Sequence, residues 1–183
     1  MPSCQPISER NLDGYGAPPI DWARVSEVLD SALTQAPDTG GPNRHTIWLT
    51  TINPDGSPHV MPVGAISVDG SWYFTSGPGT RKSRNLARDP RCVVSVATHP
   101  FDLVVEGTAE RVTDQAALQA VADKEVAGGW PASVAGDALT AEFSAPSAGP
   151  PPWYVYRVVP ATIFALGTSE PYGAGRFDVR PQL

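Results

Sequence analysis

Residues 58–91 read PHVMPVGAISVDGSWYFTSGPGTRKSRNLARDPR, and this stretch decides the fold. Two apolar, β-rich runs, PHVMPVGAISV (58–68) and SWYFTS (71–76), meet at Asp69-Gly70. An Asp-Gly pair between two such runs is a strong hairpin signal, because both turn positions need positive φ. Gly77-Pro78-Gly79 stops the second strand. Thr80 then stands as the N-cap of a helix of about two turns, ended by Pro90.

Working outward, HTIWLTTI (45–52) reads as a strand, joined to residue 58 through the turn NPDGS (53–57). Downstream, RCVVSVA (91–97), DLVVEGTAERV (102–112), WYVYRVVP (153–160) and ATIFALG (161–167) have strand character. Asp21 caps an amphipathic segment, DWARVSEVLDSAL, with Trp22, Val25, Val28, Leu29 and Ala32 at helical spacing. TDQAALQAVADKEV (113–126) reads as a further helix opening at a Thr or Asp cap. Six or seven strands with few helices and short connections predict an antiparallel, mainly β barrel with peripheral helices. Residues 1–20 are polar and Pro-rich and read as an N-terminal arm. Residues 21–183 read as a single domain, with an aperiodic loop at 127–152 and a C-terminal tail at 168–183. A loop that long is often functional.

Composition supports this and narrows the function. The 183 residues include 20 Pro and 17 Gly, which suits a folded chain of many turns and excludes a helical bundle. Net charge is −6, so a general nucleic-acid binder is not expected. No apolar run approaches the roughly 20 residues that span a bilayer, and the polar N-terminus is no signal peptide. Two cysteines, Cys4 and Cys92, make neither a metal cage nor a disulfide framework, and a cytoplasmic compartment fits. Cys92, inside a strand-like run, reads as a core thiol.

The chemistry concentrates at 76–91. A helix N-terminus presents unpaired N–H groups and a positive dipole end. Arg81 and Lys82 in its first turn oppose that dipole, and a bound phosphate would relieve the conflict. A solvated surface helix with ordinary arginines is the competing reading. Arg81, Lys82, Arg84, Arg88 and Arg91 put five of the 13 basic residues within eleven positions. Pro62 cannot donate to a ladder, so it marks a strand edge or interruption where free backbone groups could face a flat ring.

These residues resemble the pyridoxamine 5′-phosphate oxidase-like family of flavin-binding split barrels. The resemblance spans roughly residues 46–113. It rests on Phe74-Thr75-Ser76, then Arg81-Lys82, Asn85-Leu86, Asp89-Pro90-Arg91, and later Glu106-Gly107 and Ala109-Glu110-Arg111. It implies a six-stranded antiparallel split β-barrel and a homodimer with cofactor sites at the subunit interface. By that pattern His59, Val60, Met61, Pro62 and Val63 line the cofactor ring. Phe74, Thr75 and Ser76 lie near the ring or its side chain. Thr80, Arg81 and Lys82 hold the phosphate, and Asn85 assists. The C-terminal strand departs from true pyridoxamine phosphate oxidases, with Ala165 near the usual tryptophan position and no Arg-Leu-His. The tail PYGAGRF instead resembles the Ala-Thr-Arg-Trp ending of the deazaflavin (F420) branch, with Gly175 and Phe177 as departures and Arg176 retained.

The resemblance implies F420 or FMN as cofactor. F420 is favoured, because its phosphate and oligoglutamate tail suit the basic cluster at 81–91. Hydride transfer to a small unsaturated organic substrate is the expected reaction. Non-catalytic carriage of a flavin, deazaflavin or tetrapyrrole is the alternative. His59, His45 and Tyr73 are candidate proton donors, and His99 reads as a loop residue. Segments 34–45 and 127–152 are candidate substrate walls, with Trp130, Phe143 and Trp153 as aromatic surface. Trp48 and Trp72 read as core or interface.

Overall fold

The computed structural model describes residues 4–14, 16–31, 46–145 and 148–181. The expectations for residues 34–45, His45 and Ala32 lie outside them. In chain order the elements are β1 (Cys4–Asn11), α1 (Trp22–Asp30), β2 (Thr46–Ile52), β3 (Pro58–Val68), β4 (Ser71–Ser76) and α2 (Arg81–Arg88). They continue with β5 (Arg91–Ala97), β6 (Phe101–Val112), α3 (Gln115–Ala127), β7 (Ser133–Ala135), β8 (Ala138–Thr140), β9 (Tyr154–Gly167) and β10 (Ala174–Pro181).

The hairpin that organises the barrel forms as its turn chemistry dictates. Asp69 and Gly70 have φ of 49° and 74°, and Val68 pairs with Ser71. β4 then buries Trp72, Tyr73 and Phe74 in succession, because both of its faces are covered. Trp72 and Phe74 point into the barrel, while Tyr73 packs outward with Leu118 and Val121 of α3. Val25 and Leu29 of α1 join the barrel core, and the Leu29 carbonyl accepts from the Trp72 indole at 2.9 Å. Asp21, Thr80 and Asp114 cap the three helices with their side chains.

Six strands close the barrel, paired antiparallel in the order β9, β4, β3, β2, β5, β6 and back to β9. β9 makes the closure possible. One of its edges pairs with β6 along almost its whole length. Its other edge serves β4 over Tyr154–Val158 and β10 over Thr162–Leu166.

Four sequence expectations change. WYVYRVVP and ATIFALG are one continuous strand rather than two. Pro160 is accommodated because the register slips there, with Gly107 opposite Pro160 and Glu106 opposite Thr162. Residues 4–11 are an edge strand on β10, not an arm. Only Cys4 of that strand is deeply buried, so no alternation betrays it. The aperiodic loop holds a short hairpin, β7–β8, and the tail holds β10. Cys92 is a core thiol, with burial pushing its pKa up to about 12.

Candidate functional site

β3 has two halves with different neighbours. Ala65–Val68 pairs with β4 on one side. Among the described residues Pro58–Gly64 pairs with β2 alone, which leaves its other edge without a strand. Pro62 sits in that open half, where a residue lacking an N–H is tolerated. The glycine turn and α2 follow directly from β4, which brings the helix N-terminus beside the open edge.

Two adjoining cavities occupy this corner. One, of about 570 Å³, is lined by His59 and Met61 of β3 and by Gly77, Thr80, Arg81 and Lys82. The other, of about 390 Å³, is lined by Pro62, Val63 and Gly64 of β3, Thr75 and Ser76 of β4, and Lys82 again. Lys82 and Ala148 belong to both walls. The 127–152 segment closes the second cavity with Trp130 and Phe143, and Trp153 stands beside them. A Cβ on Gly77 would meet the Ala148 carbonyl oxygen at 2.4 Å, so only glycine lets this loop lie so close to α2.

The cations of the 81–91 cluster divide sharply. Arg91 pairs with Asp89 at 2.6 Å, Arg84 donates to the Gly79 carbonyl at 2.9 Å, and Arg88 donates to the Ile52 carbonyl. Arg81 and Lys82 make no ion pair among the described residues, and they alone of the five line the cavities. Lys82 is half-buried, and desolvation lowers its pKa. His59 is lowered by burial first, then by Arg81 and Lys82. Two cations at a helix N-terminus, one of them desolvated, beside an imidazole held toward its neutral form, make an electropositive corner.

Beneath it lies a ring of hydroxyls. Ser76 Oγ and Thr80 Oγ1 are 2.8 Å apart, Ser83 Oγ donates to Ser76 Oγ at 2.8 Å, and Thr80 Oγ1 is 3.2 Å from Ser83 Oγ. This ring holds the first turn of α2 against β4.

The remaining expected residues lie elsewhere. Asn85 faces away from the cavities and is buried, donating to Thr51 Oγ1 at 3.1 Å and Asn53 Oδ1 at 3.2 Å. It pins α2 to the β2–β3 turn. Phe74 is in the core, stacked on Tyr156 at 5.2 Å. Val60 lies on the barrel's outer face, half exposed. Arg176 of β10 pairs with Asp178 at 2.8 Å. Tyr73 is buried under α3, and His99 lies in the loop before β6. Sequence reasoning missed Glu125 of α3, a carboxylate 8% exposed in the wall of the second cavity. Helical spacing alone places it among apolar positions (Leu118, Val121, Ala122), and a charge at a buried helical position is the signal that could have found it.

Comparison with known proteins agrees with this fold. The family model described as pyridoxamine 5′-phosphate oxidase matches residues 34–166. No curated protein matches in sequence. A conserved hypothetical protein from Mycobacterium tuberculosis shares the fold at 18% identity and a TM-score of 0.52, over 84% of this chain and 88% of the other. General Stress Protein 26 from Bacillus anthracis does so at 15% identity and 0.52, over 78% and 93%. A heme binding protein from Mycobacterium smegmatis does so at 19% and 0.50, over 75% of this chain and 53% of its own.

Proposed function

Because the chain belongs to the pyridoxamine 5′-phosphate oxidase-like family of flavin-binding split barrels, we propose that it is an F420- or FMN-dependent oxidoreductase acting on a small unsaturated organic substrate. The observation that carries this reading is the open half of β3 beside a cavity lined by Thr80, Arg81 and Lys82. A phosphate, common to both cofactors, suits the first turn of α2. A flat ring suits the Pro62–Gly64 edge, whose side away from β2 pairs with no strand among the described residues. Arg84, Arg88 and Arg91 are engaged within the protein, so the charge argument for an oligoglutamate tail rests on Arg81 and Lys82 alone.

The bound cofactor would supply hydride chemistry at its ring. The protein's own residues bind and orient. Arg81 and Lys82 fix the phosphate end, Thr75 and Ser76 line the passage, and Trp130 with Trp153 excludes water from the ring end. Turnover with F420H2 or reduced FMN and a panel of enones tests the reading. Tight binding without turnover on any of them would favour a carrier instead.

His59 gives a pH signature. Burial, Arg81 and Lys82 hold its pKa below the ordinary histidine value, so it is neutral near pH 7 without ligand. A phosphate beside it raises that pKa. Binding is therefore expected to take up protons and to strengthen as pH falls from 8 toward 6. Calorimetry in buffers of different ionisation enthalpy reads the proton uptake, which His59→Asn should remove. Unchanged uptake in that variant would show that His59 does not face the phosphate.

The barrel's outer face supports a homodimer. Trp48 of β2 and Val60 of β3 expose 44% and 50% of their surface on adjacent strands. Trp48 is opposite Pro62 on β3 and Ser95 on β5, so it stands at the middle of this face. A buried tryptophan at an interface commonly contributes about 2 kcal/mol or more. Trp48→Asp is expected to weaken the dimer at least about 30-fold, read by sedimentation equilibrium. A monomeric wild type would contradict the assignment.

A further inference from the structure

Ser83 of α2 and Tyr156 of β9 line neither cavity. Both are buried, and Tyr156 stands opposite Phe74 of β4 and stacks on it. Yet both are joined to the hydroxyls that do reach the cavities. Ser83 Oγ donates to Ser76 Oγ at 2.8 Å, and Ser76 Oγ is 2.8 Å from Thr80 Oγ1. On its other side Ser83 is hydrogen-bonded to the Tyr156 hydroxyl.

Proton counting gives this cluster a direction. Each hydroxyl has one proton to donate and two lone pairs to accept with. Thr80 donates to Ser83 Oγ at 3.2 Å, so the proton between Ser76 and Thr80 is that of Ser76. Thr80 Oγ1 also accepts from the Ser83 backbone N–H at 3.3 Å, as the cap of α2. Both of its lone pairs are then filled, and Thr80 can only donate onward. Its acceptor within the protein is the longest of the three hydroxyl contacts, beyond the ordinary O–H···O range. A phosphate oxygen in the cavity that Thr80 lines is a charged and stronger acceptor. When the Thr80 proton turns to it, the Tyr156 hydroxyl takes the place of Thr80 as donor to Ser83. Hydroxyls linked head to tail polarise one another, so the last donor is strengthened by those behind it.

We propose that Ser83 and Tyr156 are positioning residues for the anion: with Ser76 they form a chain of hydroxyls, Tyr156 to Ser83 to Ser76 to Thr80, that aims the Thr80 proton at a bound phosphate. That this phosphate belongs to a flavin or deazaflavin rests on the oxidoreductase reading; the chain itself needs only the anion.

Calorimetric titration with inorganic phosphate, FMN and riboflavin tests the chain. Ser83→Ala and Tyr156→Phe are each expected to weaken inorganic phosphate and FMN by about threefold to tenfold, as the loss of one neutral hydrogen bond does. Riboflavin affinity should not change. Ser83→Cys separates the chain from simple packing of α2 on β4. It nearly keeps the size of the side chain but replaces a strong donor by a weak one, so it should weaken phosphate as Ser83→Ala does. Tyr156→Phe keeps the ring stacked on Phe74 and reports on the hydroxyl alone, even if a Ser83 variant fails to fold.

Wild-type phosphate affinity in Ser83→Cys gives Ser83 a packing role and overturns the proposal, as does unchanged phosphate affinity in Tyr156→Phe. Equal losses for FMN and riboflavin overturn it too, because the effect would then not pass through the phosphate. Failure of FMN and F420 to bind, with inorganic phosphate weakened in all three variants, would overturn the cofactor reading and leave the chain standing.

Discussion

Replacing Arg81 and Lys82 together by alanine is expected to lower affinity for FMN or F420 by about 10²–10⁴-fold and to leave the fold intact. Charge-assisted hydrogen bonds to a phosphate contribute about 1.5–3 kcal/mol each, and two such donors are removed. The fold should survive for a specific reason. Neither side chain makes an ion pair among the described residues, and both occupy the first turn of α2, where cations oppose the helix dipole. The thermal midpoint should therefore hold or rise slightly. Calorimetry measures both quantities on the same sample. Retained affinity in the double variant would mean that the anion cavity is not the cofactor's anchor.

The second large effect concerns stability. Gly107 faces β9 where the register slips, and a Cβ built there would sit 2.1 Å from the Val159 carbonyl oxygen. That atom is backbone, held in the pairing that closes the barrel, so it cannot rotate aside. Gly107→Val should cost about 3 kcal/mol. For a chain of this length that corresponds to a fall of roughly 6–12 °C in thermal midpoint. A change under about 2 °C would show that β9 tolerates displacement at its bulge and that closure is softer than the contact implies.

The same bulge shows what the sequence could and could not reveal. Asp69-Gly70 announced its hairpin because the turn geometry demands those residue types, and both adopt positive φ. The sequence reading places two strands, 153–160 and 161–167, that meet at Pro160. Pro160 instead lies within β9, and only its partner strand, through Gly107, makes that possible. The cue was non-local. β1 escaped notice for a related reason: an edge strand with one buried residue carries no alternating pattern.

Legibility in the candidate site followed the same division. Thr80, Arg81 and Lys82 were readable because capping and helix dipoles are local. Pro62 was readable because of its missing donor. The basic cluster at 81–91 was misleading as a block. Arg84, Arg88 and Arg91 spend their charge on a glycine carbonyl, a β2 carbonyl and Asp89, which charge counting cannot see. Asn85 looked like a helper on the helix face, but the face it occupies is turned to Thr51 and Asn53. Glu125 lies 43 residues beyond Lys82 in a helix of unremarkable sequence, and only the packing of α3 against β3 and β4 brings it to the same cavity.

The central claim is that a phosphate-bearing flavin or deazaflavin is anchored through its phosphate at Arg81 and Lys82. The direct measurement is a fluorescence-quenching titration of the wild-type protein with FMN and F420, each beside its phosphate-free counterpart, riboflavin and the deazaflavin alcohol. Micromolar or tighter binding of FMN or F420, with its phosphate-free partner about 10²-fold or more weaker, is the predicted result. Binding of neither cofactor, or equal binding with and without the phosphate, would contradict it.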